Sequence, residues 1–137
     1  MIRFVIVPSD TSGKPIAGAL AKTFPGDYVK VVNLADAVVT DYGSDEAEEL
    51  FRSFDSKIDE VIEEMEAEER YKCYILCGGS VLHACIALYA FVKRGVLPEL
   101  LVWERKRKRY VTYDLGGRIL DKENFEMFEQ EKGSLFG

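Results

Sequence analysis

Short apolar runs alternate with longer amphipathic segments along most of this chain. Three runs rich in β-branched and aromatic residues are bounded by proline, glycine or charged residues, which predicts buried strands. These runs are residues 2–7, 28–34 and 71–77. Apolar side chains at helical spacing follow each run, and the three predicted helices are residues 15–24, 44–70 and 80–94.

The last third of the chain predicts a hairpin and a short helix. Residues 100–104 and 110–114 have the composition of two strands joined by a basic run, and residues 121–131 have the spacing of an amphipathic helix. This order predicts an α/β fold: a Rossmann-like three-layer sandwich with a mostly parallel sheet and a C-terminal β-hairpin. One domain is expected, in which residues 1–115 form the Rossmann-like unit and residues 116–137 its C-terminal extension.

Charge and composition narrow the class of partner. The net charge of -6 argues against binding to long nucleic acids, and no apolar stretch reaches the roughly 20 residues of a membrane span. Too few apolar residues precede Pro8 for a secretory signal, and the three cysteines lack CxxC spacing, so a reduced, cytoplasmic protein is expected. Residues 105–109 hold five of the 18 basic side chains, while 45–69 hold twelve of the 24 acidic ones. A basic spot on an acidic body favours a small anionic ligand.

Two loops are expected on one edge of the sheet, because each follows a parallel strand. The first is "PSDTSGKP", which places hydroxyl, carboxylate, glycine and ammonium groups before a helix: Ser9, Asp10, Thr11, Ser12, Gly13 and Lys14. Pro8 stands where a Walker A loop requires glycine, so this is not that motif. An ordinary helix-entry loop would also use such residues.

The second loop is the turn Gly78-Gly79-Ser80. Glycine lets an anion approach the backbone, and a serine N-cap leaves the amides of the following helical turn directed at it. The same turn would also suit a tight corner that needs only a positive φ.

Three further features carry alternatives. The run "ERKRKRY", with Arg105 and Lys106, serves either an anionic ligand or a solubilising hairpin tip. His83 lies one turn after Ser80 and either faces the glycine turn or packs inward. Trp103 is more typical of a core or an interface than of a base-stacking platform. There is no second histidine and no metal-spaced Cys/His cluster in the sequence, so neither a metal nor a cofactor is expected.

These loops, with "LCGGSVLHACIALYAFVKRG" and "PELLVWERKRKRYVTY", resemble the CARF family (CRISPR-associated Rossmann fold) over about residues 1–115. The matching stretches are Pro8 to Lys14 and Cys77 to Ser80. One departure is Val81, where turns of that family often carry a lysine. The resemblance implies a homodimer whose sheet edges form one pocket for a cyclic oligoadenylate, a messenger of type III CRISPR antiviral defence.

A stand-alone member of that family looks like a ring nuclease, a metal-independent hydrolase-like enzyme that cleaves cyclic tetraadenylate and switches the defence off. The catalytic residues implied are Ser12, Lys14, Lys106 and His83. The ligand-binding residues implied are Ser9, Asp10, Thr11, Gly13, Gly78, Gly79, Ser80 and Arg105. Ser12, or in its place Ser9 or Thr11, would position the attacking 2′-OH. The backbone amides of Gly79 and Ser80 would hold a phosphate oxygen, and His83 would be the general acid only if it faces the pocket. Lys14 and Lys106 would stabilise developing charge.

Three alternatives stay open. The same two loops would also suit a sensor that binds the nucleotide without cleaving it, or a protein that only sequesters it (a sponge). Carboxylates at strand ends would serve a metal-dependent phosphatase or nuclease: Asp10, Asp36 or Asp41, and Glu104. A structural interaction module of the same fold is the third.

Overall fold

The computed structural model describes residues 1–9, 16–34 and 45–116. The five strands are β1 (Ile2–Val7), β2 (Tyr28–Asn33), β3 (Tyr71–Cys77), β4 (Glu99–Glu104) and β5 (Arg109–Tyr113). The three helices of this part are α1 (Ile16–Thr23), α2 (Asp45–Glu66) and α3 (Val81–Val92). All five predicted strands and the first three predicted helices are therefore confirmed, while the helix predicted over 121–131 lies outside the described residues.

The strands form one mixed sheet in the order β2-β1-β3-β4-β5. The first four are parallel, and β5 runs antiparallel to β4 as the second strand of a hairpin. The chain moves from β1 outward to β2 and then returns to place β3 on the other side of β1. The strand order thus reverses between β1 and β3, and open α/β sheets bind ligands at this kind of switch point.

Apolar side chains alternate between the two faces of the sheet and form two core clusters. Phe4, Ile6 and Ile75 pack beneath α2 and α3, and we call this side the α2–α3 face. Val5 and Leu76 belong to the opposite cluster beneath α1, which we call the α1 face. Helices on both faces of a mostly parallel sheet are compatible with a Rossmann-like sandwich.

Two helices are shorter than the sequence predicts. α2 ends at Glu66 instead of near residue 70, and the residues that follow it up to residue 70 are exposed and, apart from Ala67, charged. α3 ends at Val92, and Gly95 with φ of 79° then turns the chain in a conformation that suits glycine. Within the described ranges, none of the helices has the length and apolar character needed to cross a bilayer.

Candidate functional site

The loops after β1 and β3 meet at the carboxyl edge of the sheet. Ser9 is fully buried, and its hydroxyl donates a hydrogen bond to the Gly78 carbonyl at 3.2 Å. The same oxygen accepts a hydrogen bond from the Ser80 amide at 3.3 Å. One side chain from the first loop therefore holds the glycine turn of the second, at the point where the strand order reverses.

The turn ends as a capped helix start. Gly79 has φ of 74°, a left-handed conformation that side chains disfavour, so this position requires glycine. Ser80 is the N-cap of α3, and its hydroxyl accepts a hydrogen bond from the His83 amide at 3.4 Å. In the part of the chain that the structure describes, the amides of Gly79, Val81 and Leu82 have no hydrogen-bond acceptor. These amides lie at the positive end of the helix dipole, and helix starts of this kind attract anions in general.

His83 packs inward. Its side chain is fully buried, Nδ1 lies 3.0 Å from the Pro8 carbonyl oxygen, and the ring packs edge-on against Phe54 of α2. The contact with Pro8 ties α3 to the loop after β1, one residue before Ser9. The ring is therefore buried between the loop after β1 and α2, and its role as a general acid stays a prediction.

The basic run lies in the hairpin turn between β4 and β5, at the same edge of the sheet. Arg105, Lys106 and Lys108 are exposed, and they have no ion-pair partner among the residues described. Arg107 and Arg109 instead lie near Glu104, at 3.4 and 3.9 Å. Since Cys77 at the end of β3 is in register with Val102, β4 continues two residues, about 7 Å, beyond β3. The hairpin therefore places the basic side chains of its turn beyond the end of β3, one strand away from the glycine turn.

A cavity of about 350 Å³ opens on the α2–α3 face below the turn. Its walls come from β3, the glycine turn, one side of α3 and β4: Ile75, Cys77, Gly78, Gly79, Ser80, Val81, Ala84, Cys85, Leu88 and Leu100. No pattern discussed above predicts this cavity. The signal for it was available in α3, which has no charged residue over its 12 positions.

The three cysteines of this region are free thiols in different settings. Burial raises the pKa of Cys73 to about 12, so this thiol stays protonated and unreactive at neutral pH. Cys77 lines the cavity, and its pKa is raised by burial and, to a smaller extent, by the neighbouring Cys85. Cys85 is exposed on the outer side of the same cavity.

Several predicted site residues lie outside the described residues: Asp10, Thr11, Ser12, Gly13, Lys14, Asp36 and Asp41. Of the remaining ones, the structure brings Ser9 together with Gly78, Gly79 and Ser80. Within the described ranges, no cluster of three or more His, Cys, Asp or Glu side chains could hold a metal ion. The Val81 and Leu82 amides and the Pro8 carbonyl were missed, because their roles depend on where α3 begins and how His83 turns.

No known protein family, curated protein sequence or solved structure matches this chain.

Proposed function

We propose that the protein binds a cyclic oligoadenylate at the carboxyl edge of the sheet, as a homodimer, and cleaves it without a metal. The observation that carries this proposal is the direct bonding of Ser9 to the Gly78–Ser80 turn at the switch point. These bonds bring the first turn of α3 next to the loop that the resemblance to the CARF family implicates, which supports an anion site there. Cyclic tetraadenylate is the ring that the resemblance favours.

A phosphate of the ring lies against the first turn of α3. It accepts hydrogen bonds from the amides of Gly79, Val81 and Leu82, which replace Ser80 in this role because the Ser80 amide already donates to Ser9. The start of a helix carries roughly half a positive charge, so the dipole adds to these bonds. Val81 supplies no charge here, and the cations come from elsewhere.

Those cations lie on the hairpin. Arg105 and Lys106 are exposed beyond the end of β3, on the side of the turn toward β4. Five consecutive basic residues repel one another, and a bound polyanion relieves that repulsion. The whole chain has a net charge of -6, so the positive charge is confined to the hairpin turn. Such a small basic surface suits a compact anion better than a long nucleic acid.

The cleavage needs no added reactant. A ribose 2′-oxygen attacks the adjacent phosphorus, the bond from phosphorus to the 5′-oxygen breaks, and the 2′-OH proton leaves while the 5′-oxygen gains one. The products are a 2′,3′-cyclic phosphate and a 5′-hydroxyl. Ser12 aligns the 2′-OH, and Lys14 with Lys106 stabilises the phosphorane oxygens, where each well-aimed donor is worth roughly 3 kcal/mol. His83 acts as a positioning residue, since it holds the loop after β1 against α3.

The inward position of His83 also favours one alternative, a sensor or sponge that binds the ring without cleaving it. If the buried His83 does not donate the proton, cleavage needs another general acid, whereas a binding protein needs none. Both functions share the same phosphate site, so binding is tested first and cleavage second.

Binding is tested by calorimetry with cyclic tri-, tetra- and hexaadenylate and with a linear tetraadenylate. Gly79→Glu places a carboxylate at the anion site, and we expect it to abolish binding. Gly95→Glu is the matched control, because Gly95 follows the same helix at its far end and has a similar positive φ of 79°. Both variants suffer similar backbone strain, so only a site at the turn distinguishes them. A wild-type protein that binds none of the rings, or equal binding by the two variants, contradicts the proposal.

Cleavage is then followed by mass spectrometry of the bound ring. A 2′,3′-cyclic phosphate that forms in the presence of a chelator supports the metal-independent reaction. An intact ring identifies the sensor or sponge, and cleavage that a chelator abolishes identifies the metal-dependent alternative. Sedimentation of the protein with and without the ring measures the expected dimer.

A further inference from the structure

One side of α3 is apolar and remains exposed. Val81 is 76% exposed and Val92 48%, Cys85 is exposed, and Leu88 is half-buried. These residues are spaced by three or four positions, so they form one stripe along the helix. A helix that is apolar on every side is normally buried on every side. The described part of the chain leaves this stripe uncovered.

The sheet beside this stripe is open as well. By strand alternation and register, Leu100, Val102, Val111 and Tyr113 lie on the α2–α3 face of β4 and β5. Tyr113 is 40% exposed, and the other three are half-buried. A parallel strand after β4 would need a crossover helix, whereas the antiparallel β5 needs only the hairpin turn. The fold therefore supplies no crossover helix to this half of the face.

We propose that the chain's own C-terminal segment, residues 117–137, covers this surface, which we call the α3 groove (Val81, Cys85, Leu88, Val92, Leu100, Val102, Val111 and Tyr113). The described chain ends at Gly116, beside the loop that joins α3 to β4. A Cβ added to Gly116 would lie 3.2 Å from Leu97 Cδ2, so the chain leaves β5 against the loop that joins α3 to β4. Leu97 is itself 40% exposed. The segment thus starts at one end of the groove.

The length and composition of residues 117–137 also suit the groove. Residues 121–131 have the sequence of an amphipathic helix about 16 Å long, close to the roughly 18 Å of α3. Phe125 and Phe128 are one turn apart and share a side of that helix. A single amphipathic helix is the element missing from this half of the α2–α3 face.

The charge of the segment is opposite to that of the hairpin turn. Acidic residues outnumber basic ones in the segment, and Glu129 and Glu131 stand near the end of its predicted helix. A helix that starts near Leu97 and runs along β4 brings this acidic end toward the exposed basic turn of the hairpin. A second copy of the chain offers no comparable argument from position. The proposal does not depend on the nucleotide.

Cys85 is a native reporter of this contact, because its thiol lies in the stripe. In the full chain at neutral pH, we expect slow alkylation of Cys85 at a rate independent of protein concentration. Phe125→Ser combined with Phe128→Ser should raise that rate about tenfold or more. The matched control is Glu123→Gln combined with Glu126→Gln, which alters the other side of the same predicted helix and should leave the rate unchanged.

Two controls establish which thiol reacts and whether a variant is still folded, and a crosslinking experiment identifies what covers the groove. A Cys85→Ser chain identifies the Cys85 signal, and alkylation of the buried Cys73 reveals any variant that has unfolded. In an otherwise native chain, p-benzoylphenylalanine in place of Val92 should crosslink to residues 117–137 of the same chain, as judged by mixing isotopically heavy and light protein. Crosslinks between heavy and light chains, or Cys85 protection that grows with protein concentration, would show that a second copy fills the groove. Fast alkylation of the native chain would show that nothing does.

Discussion

Replacing Ser9 with alanine tests whether one hydroxyl joins the two loops of the site. The hydroxyl is fully buried, and it serves both the Gly78 carbonyl and the Ser80 amide. A buried polar group left without a partner costs about 1–3 kcal/mol. Both bonds are long, at 3.2 and 3.3 Å, and both partner residues are half-buried, so the lower end of that range applies to each. We therefore expect Ser9→Ala to lower the free energy of unfolding by about 2 kcal/mol.

The assay is urea unfolding followed by circular dichroism, with a thermal melt beside it. For a domain of this size the loss corresponds to a decrease of roughly 7 °C in Tm. Ser56→Ala is the control, because Ser56 is exposed within α2. Alanine favours the helix, so this variant should be neutral or stabilised by up to about 0.5 kcal/mol. A Ser9→Ala loss no larger than 0.5 kcal/mol, or a loss equal to that of the control, would refute the bridging role.

The remaining predictions concern one glycine and one ion-pair cluster. Gly79→Ala should destabilise the protein by about 1–2 kcal/mol because φ is 74°, whereas Gly18→Ala in α1, with no atom within 4 Å of the new Cβ, should stabilise it by roughly 0.5–1 kcal/mol. If urea unfolding showed that both variants change the free energy of unfolding in the same direction, this pair of predictions would be wrong. Arg94 donates to Asp55 and Asp59 of α2 and lowers the pKa of both carboxyls below 3.8. Their contribution to stability is therefore present above about pH 4 and is lost as the pH falls through the lowered values. Arg94→Met should reduce the loss of stability between about pH 5 and pH 2, and urea midpoints that fall with pH as steeply as in the wild type would contradict it.

Most of the fold was predictable because strong local signals coincide with the elements. β1 is a run rich in β-branched and aromatic residues that ends at Pro8, and β3 is a mostly apolar run that ends at Gly78. The hairpin follows from two apolar runs around a basic turn. The ends of α2 were less predictable, because the acidic residues near 66–70 fit a helix by propensity but have nothing to pack against.

The candidate site was predictable only to the level of its loops. The sequence predicts that Ser9 and the glycine turn lie at one edge of the sheet. It does not predict that the Ser9 hydroxyl makes its hydrogen bonds within the protein, to Gly78 and Ser80. The direction of His83 depends on which side of α3 faces Phe54, a tertiary contact that spacing alone cannot give. The α3 groove was missed because its exposure results from the hairpin, not from any motif.

The central position of β1 has a consequence for synthesis. β1 pairs with β2 on one side and with β3 on the other, so the first strand made is completed only when residues 71–77 have emerged. At a synthesis rate of about 5–20 residues per second, roughly 4–15 s pass between the synthesis of β1 and that of β3. Phe4 and its apolar neighbours in β1 cannot pair with β3 before then. Pairings this distant in sequence also slow folding in general. The apolar surface of this strand therefore stays incompletely covered during much of synthesis, a condition that favours aggregation of nascent chains in general.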